Sequence, residues 1–212
     1  MVDSGIDCWL SKFRNIKSLL GFNDIQPHLS PSVAGKKISK FLCSKFESFW
    51  LREINTMKVS QDGVDHNKLR FYKQFKGCFK PEPYLDLVQN RNQRAWLTRL
   101  RVSAHQLHIE TGRYTRPVPT PVKDRICRFC SQNVVDDESH FILSCTTFEV
   151  KRQCFFNKLA TLVPNVLRLS SNDKLVTILC PISAKAAKLA NKFIKIMFQS
   201  RKKIEEGFLL HS

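Results

Sequence analysis

Four residues in the second half of the chain constrain its fold more than any others. Cys127, Cys130, His140 and Cys145 follow one another as Cys-x2-Cys-x9-His-x4-Cys. Two cysteines three positions apart let a tight turn aim both thiolates at one point. A histidine and a cysteine five apart reach the same point from a following short helix or turn, which is the donor set of a tetrahedral zinc site. With all four positions filled by protein groups, no place is left for an activated water. The expectation is therefore a structural zinc knuckle whose metal binding is coupled to folding. Asp136 or Asp137 is placed to cap the short helix before His140. Either of them, or Glu138, is placed to hold the second imidazole nitrogen. Phe141, Ile142 and Leu143 supply the small apolar core that a knuckle needs.

The same interval contains Val134-Val135-Asp136-Asp137, which superficially resembles the metal-binding aspartates of a polymerase palm. Such chemistry requires a further carboxylate on a neighbouring strand, and no strand-rich segment flanks the pair. No Gly-rich phosphate loop, H-E-x-x-H or Ser-His-Asp order is present either, so no catalytic residue is assigned. His105 and His108 lie near a helix end with no cysteine beside them, and read as surface or helix-terminus histidines. The eight cysteines are scattered along a chain with no export signal, which argues for reduced thiols inside the cell, nuclear or cytoplasmic, over a secreted disulfide framework. Cys8, Cys43, Cys78, Cys154 and Cys180 then default to small buried hydrophobes.

The rest of the chain reads as mostly α. An apolar fraction of 42% excludes disorder, and no run approaches the roughly 18 apolar residues of a membrane span. Helical spacing occurs over Cys8–Phe22, followed by a linker through Gly35. It recurs over Ile38–Met57, whose stripe of Ile38, Leu42, Phe46, Phe49, Trp50, Ile54 and Met57 reads as core. Further helices are expected from Leu69 to Phe79, from Asn90 to Gln106 and from Phe148 to Leu162. Leu175–Leu179 is ambiguous between strand and helix. Pro117, Pro119 and Pro121 mark a connector. The last segment, Ser183–Phe208, puts Ala186, Ala190, Phe193 and Met197 on one stripe and Lys185, Lys188, Lys192 and Lys195 on another, roughly 145° away: a basic amphipathic helix. The expected organisation is an N-terminal helix and linker (1–31), a basic helical domain (32–116), the zinc-knuckle segment (117–162) and a C-terminal helical tail (163–212).

The formal charge is +17 at pH 7, which favours polyanionic partners. Between His66 and Arg116 eleven Lys and Arg stand against three acidic residues, a net of +8. Arg94, Arg99, Arg101, Arg113, Arg116, Arg125 and Arg128 are candidate phosphate ligands, together with Lys188, Lys192 and Lys195 on the last helix. Tyr114 and Phe129 are candidate stacking platforms. A zinc knuckle in so basic a chain is most economically a non-catalytic RNA- or single-stranded-DNA-binding module. The alternative from another class is a zinc-stabilised protein–protein interaction scaffold, docking a separate polymerase or other protein partner.

Several ordered motifs accompany the knuckle: Leu69-Arg70-Phe71-Tyr72-Lys73-Gln74-Phe75-Lys76, Glu82-Pro83-Tyr84-Leu85, Leu100-Arg101-Val102-Ser103-Ala104-His105 and Ile109-Glu110-Thr111-Gly112-Arg113-Tyr114. They lead into Arg125-Ile126-Cys127-Arg128-Phe129-Cys130 and Asp137-Glu138-Ser139-His140-Phe141. As a set, from about Ala34 onward, the chain resembles the post-polymerase region of reverse transcriptases of non-LTR (LINE-type) retrotransposons. The resemblance implies a Cys-Cys-His-Cys knuckle that helps a retroelement protein grip RNA or target DNA. No polymerase motif is present, and the tail after Cys145 offers no spaced Pro-Asp, Asp and Lys nuclease set. The expectation is a remnant, or a host gene derived from one, without its own catalysis.

Overall fold

The computed structural model describes residues 18, 30–56 and 67–209. The chain divides between Glu53 and Ile54 into two units. The first is described by α1 (Pro31–Asn55), which runs two residues past that division. Proline lacks an N–H to leave unpaired, and its φ is already helical. Pro31 therefore opens the helix inside what the sequence suggests is linker. The stripe expected to be core is largely not: Ile54 is buried, Ile38, Leu42 and Trp50 are half-buried, and Phe46 and Phe49 are exposed. Cations cover part of the aromatic surface, with Lys45 over the Phe41 ring and Arg52 over Phe49. Apart from Ser18, the helix expected over Cys8–Phe22 lies outside the described residues, and so does Met57.

The second unit is built from short helices around one long one. In chain order these are a 3-10 turn at Tyr72–Gln74, α2 (Pro83–Leu87), α3 (Ala95–Arg101), α4 (His108–Thr111), a π-helical turn at His140–Ser144, α5 (Glu149–Ala160), α6 (Ser171–Leu179) and α7 (Ala184–Leu209). Among the described residues the β structure is a single bridge between Ile126 and Val135. The expected helix at Leu69–Phe79 is instead a run of turns. Between Asn67 and Gly77 there is room for barely three helical turns, too few to be stable without tertiary support. Phe71, Tyr72 and Phe75 pack edge to face against one another instead. The expected helix at Asn90–Gln106 is cut to Ala95–Arg101, because Ser103 adopts a left-handed backbone (φ 52°) and gives its hydroxyl to Glu138 at 2.7 Å. The ambiguous Leu175–Leu179 run is helix, started by Ser170, whose Oγ accepts from the Asp173 N–H at 3.1 Å.

α7 is the axle. It packs against α2, α3, α5 and α6 and buries Ala186, Ala187, Ala190, Phe193, Ile194 and Met197. The alanines let neighbouring backbones approach at one end, and Phe193 stacks on Phe155 of α5 at 4.0 Å and 9° further along. Asn191 caps α3 from across the core: its Oδ1 accepts from the Trp96 and Leu97 N–H groups at 2.9 and 3.2 Å. One apolar cluster runs from Phe71 to Met197 and crosses both positions, Pro117 and residue 163, where the sequence suggests boundaries. Three cysteines expected to be buried are exposed (Cys43, Cys78 and Cys154), and Cys180 is half-buried beside Arg101. Cys8 lies outside the described residues. No described helix is long and apolar enough to cross a membrane.

Candidate metal centre

Residues 125–136 double back on themselves. The Asp136 N–H donates to the Arg125 carbonyl and the Cys127 N–H to the Val134 carbonyl, each at 2.9 Å, and Asn133 turns the chain with φ 52°. This small loop brings Cys127 and Cys130 to the same side. The chain then enters the π-turn, where the Asp137 carboxylate accepts the His140 N–H at 2.7 Å and caps it. The Cys145 N–H closes on the His140 carbonyl at 2.8 Å, an i→i+5 bond. That widened turn is the physical reason for the four-residue gap: it returns Cys145 to the level of His140, as an ordinary helical turn would not.

The four ligand atoms all lie within 4.8 Å of one another, and Cys127, His140 and Cys145 are buried. Zinc–sulfur bonds of about 2.3 Å and zinc–nitrogen bonds of about 2.0–2.1 Å at tetrahedral angles require S···S edges of about 3.8 Å and S···N edges of about 3.6 Å. Cys127 Sγ and Cys145 Sγ are 4.0 Å apart, and Cys130 Sγ and His140 Nε2 are 3.4 Å apart. The sulfur separation is twice a disulfide bond length, so the arrangement is that of ligands and not of a crosslink. These four residues can hold one metal ion, with Nε2 as the imidazole donor.

Their support comes from groups other than the expected carboxylates. His140 Nδ1 is 3.1 Å from Ser144 Oγ, so an Nδ1–H tautomer donates to the hydroxyl and leaves Nε2 free to ligate. Asp136, Asp137 and Glu138 are committed elsewhere: Asp137 to the cap, Asp136 to Arg201, and Glu138 to Arg70 (3.1 Å), Ser103 and His105. Arg152 of α5 answers the carbonyls left over by the π-turn, donating to Ile142 O at 3.0 Å and Cys145 O at 2.5 Å. Arg201 of α7 forks onto Asp136, which lies between Cys130 and His140 in the sequence, at 2.8 Å to Oδ1 and 2.5 Å to Oδ2. Its guanidinium lies 4.2 Å from the Phe129 ring centre.

Two thiols of the cluster are perturbed in opposite directions. With only protein groups around it, the hydrogen bond to Cys145, with burial second, pushes the Cys127 thiol up to about 12; the same bond lowers Cys145. A divalent cation would remove that difference, because each coordinated thiol is deprotonated outright. Burial alone would push Glu138 up, but the His105 hydrogen bond and the Arg70 charge, aided by Ser103, hold it at about 2. Asp137 is raised by burial, partly offset by the His140 N–H.

The candidate nucleic-acid residues separate into two groups. Arg101 and Arg125 are each only 1% exposed and are withdrawn as phosphate ligands. Arg101 pairs with Glu82 at 2.5 Å, donates to the Leu179 carbonyl, and is ringed by Phe75, Tyr84 and Tyr72. Arg125 donates to the Thr120 and Ile109 carbonyls at 2.8 and 2.7 Å. Arg94 is half-buried against the Leu85 and Val88 carbonyls, and Arg113 pairs with Glu110 at 3.1 Å. Phe129, the expected stacking platform, is half-buried beneath Arg201 and against Phe148. Arg99, Arg116, Arg128, Tyr114, Lys188, Lys192 and Lys195 are exposed.

The sequence reading missed Arg201, Arg152 and Ser144. Arg201 lies four residues after Met197 and eight after Phe193, on the apolar stripe of α7, where an arginine must find a buried partner. No family model, curated protein or solved structure matches the chain.

Proposed function

We propose that the chain is a non-catalytic module that uses a structural zinc ion to set its fold and binds RNA or single-stranded DNA through phosphates. The observation that carries the reading is the division of α7. Its buried side sends Arg201 onto Asp136 of the loop at 125–136, while Lys185, Lys188, Lys192 and Lys195 stand exposed on the other side. None of these four lysines has an ion pair among the described residues. The likeness of the ordered motifs to a retroelement post-polymerase region points the same way. Zinc would supply no chemistry to a bound strand; it would hold the loop at 125–136 and the π-turn together, and with them the partner of Arg201.

The test is fluorescence anisotropy of a labelled single-stranded 20-mer titrated with protein at several salt concentrations. Substituting Lys188, Lys192 and Lys195 together by Gln should weaken binding and flatten the plot of log affinity against log salt by about 2, at about 0.7 for each phosphate of a single strand that is no longer neutralised. Salt-independent binding, or an unchanged slope in the triple variant, would overturn the reading and leave the protein-scaffold alternative.

A further inference from the structure

Between α3 and α7 lies a cleft of about 250 Å³, lined by Trp96, Arg99, Phe198, Gln199, Lys202 and Glu205 among others. None of the four candidate metal ligands lines it, although Arg201, which holds Asp136 of the loop at 125–136, does. Its wall is aromatic: Trp96 and Phe198 stack at 5.6 Å and 26°, and His105 continues the stack beyond Phe198 at 6.1 Å and 27°. The volume falls below the roughly 300–1,000 Å³ of whole small-molecule sites, and suits one flat ring system. The Arg99 guanidinium sits over the Trp96 ring at 5.2 Å. Arg99 is exposed, and among the described residues it has no carboxylate partner.

The cleft also continues the lysine stripe. At 100° per residue, positions 185, 188, 192, 195, 199 and 202 fall within about a 100° arc of α7. The last two line the cleft, and the other four are the exposed lysines. A strand whose phosphates follow those lysines would thus arrive at an aromatic wall with a cation at its mouth. Every nucleobase has a π-face to offer such a wall, whereas a base stacked within a duplex cannot enter it.

Resting on the nucleic-acid reading above, we propose that this cleft is a base-binding subsite. It takes one unstacked base of a single strand against Trp96, displacing the Arg99 guanidinium outward onto the adjoining phosphate, with Lys202 on the next. The Gln199 amide lines the cleft, and so does the Glu205 carboxylate, which lies 3.7 Å from Arg201 Nε and keeps lone pairs to accept a base N–H such as the N3–H of uracil or thymine.

Trp96 reports on the subsite directly. The chain has three tryptophans, and Trp9→Phe with Trp50→Phe leaves Trp96 as the sole indole emitter. The full-length double variant is titrated with oligo(U), oligo(dT), a duplex of equal length, and inorganic polyphosphate as a base-free polyanion. Labelled oligonucleotides are followed in parallel by anisotropy. Both single strands should quench Trp96 along the anisotropy isotherm, while duplex and polyphosphate should not. Quenching by only one of the two sugars would assign the subsite to RNA or to DNA. Arg99→Gln and Lys202→Gln, both at the surface, should each weaken single-strand binding about threefold to tenfold. Trp96→Leu, checked for an unchanged circular dichroism spectrum, should weaken it about tenfold to a hundredfold. Single-strand binding with no change in Trp96 emission overturns the subsite and leaves the phosphate-binding reading intact. Failure of every oligonucleotide to bind overturns both.

Discussion

Replacing Arg201 by Met tests how α7 is joined to the metal loop. The substitution keeps a long apolar stem but removes both bonds to Asp136, at 2.8 and 2.5 Å, and the cation over Phe129. Asp136 is fully buried, and its remaining partner is the His108 N–H at 2.7 Å. A carboxylate stranded in that position costs about 3–5 kcal/mol, a large fraction of the 5–15 kcal/mol that holds a typical domain together. Urea unfolding followed by circular dichroism should show this loss, and a chromogenic chelator should draw metal from the variant about a hundredfold or more faster. Adding Asp136→Asn removes the stranded charge but leaves an acceptor for His108. The double variant should therefore be more stable than Arg201→Met alone, although Asp136→Asn by itself destabilises. If Asp136→Asn costs the same in both backgrounds, the two residues are not coupled and the reasoning fails.

Three further outcomes are expected. A Cβ on Gly112 would lie 2.8 Å from the Arg125 Cγ, Cδ and Nε, and Arg125 is tied to two carbonyls. Gly112→Ala should thus cost about 1–3 kcal/mol, and an unchanged melting temperature would refute that crowding. Asn191→Leu strands the Trp96 and Leu97 N–H groups and should cost about 1–2 kcal/mol in the same assay; an unchanged melting temperature would show that the cap does not matter. Burial alone would raise the Glu82 pKa, but Lys76, Arg101 and the Tyr72 hydroxyl outweigh it and hold it below the usual glutamate range. The unfolded carboxyl therefore takes its proton first, near its ordinary value of about 4.3. The Glu82 contribution is complete above that pH and is lost as pH falls through the lower folded value. Urea midpoints between pH 3 and 7 should fall less steeply for Glu82→Gln than for the parent, and equal slopes would exclude Glu82 as a source.

The Cys-Cys-His-Cys cluster that could hold a metal was legible because its spacing is itself the geometry: a turn for Cys-x2-Cys and a π-turn for His-x4-Cys. The two long helices were legible in outline, since α1 and α7 carry periodic patterns over about five and about seven turns. What sequence could not give was the fate of the arginines. Arg101, Arg125, Arg152 and Arg201 look like surface charge in a basic chain, yet each is buried and donates to a carbonyl or carboxylate ten or more residues away. Arginine in a crowded fold of short helices satisfies carbonyls that no helix satisfies, and periodicity carries no record of that. The helix lost at Leu69–Phe79 has the same origin. Its aromatic residues serve a wall around Arg101, so their spacing mimics a helix without making one.

The candidate metal centre is tested most directly by native mass spectrometry of the full-length protein beside Cys127→Ser. The account predicts one zinc ion per parent chain, absent from the variant, with a cooperative unfolding transition that weakens when a chelator removes the metal. A metal-free parent that unfolds with the same midpoint with or without added zinc would contradict it.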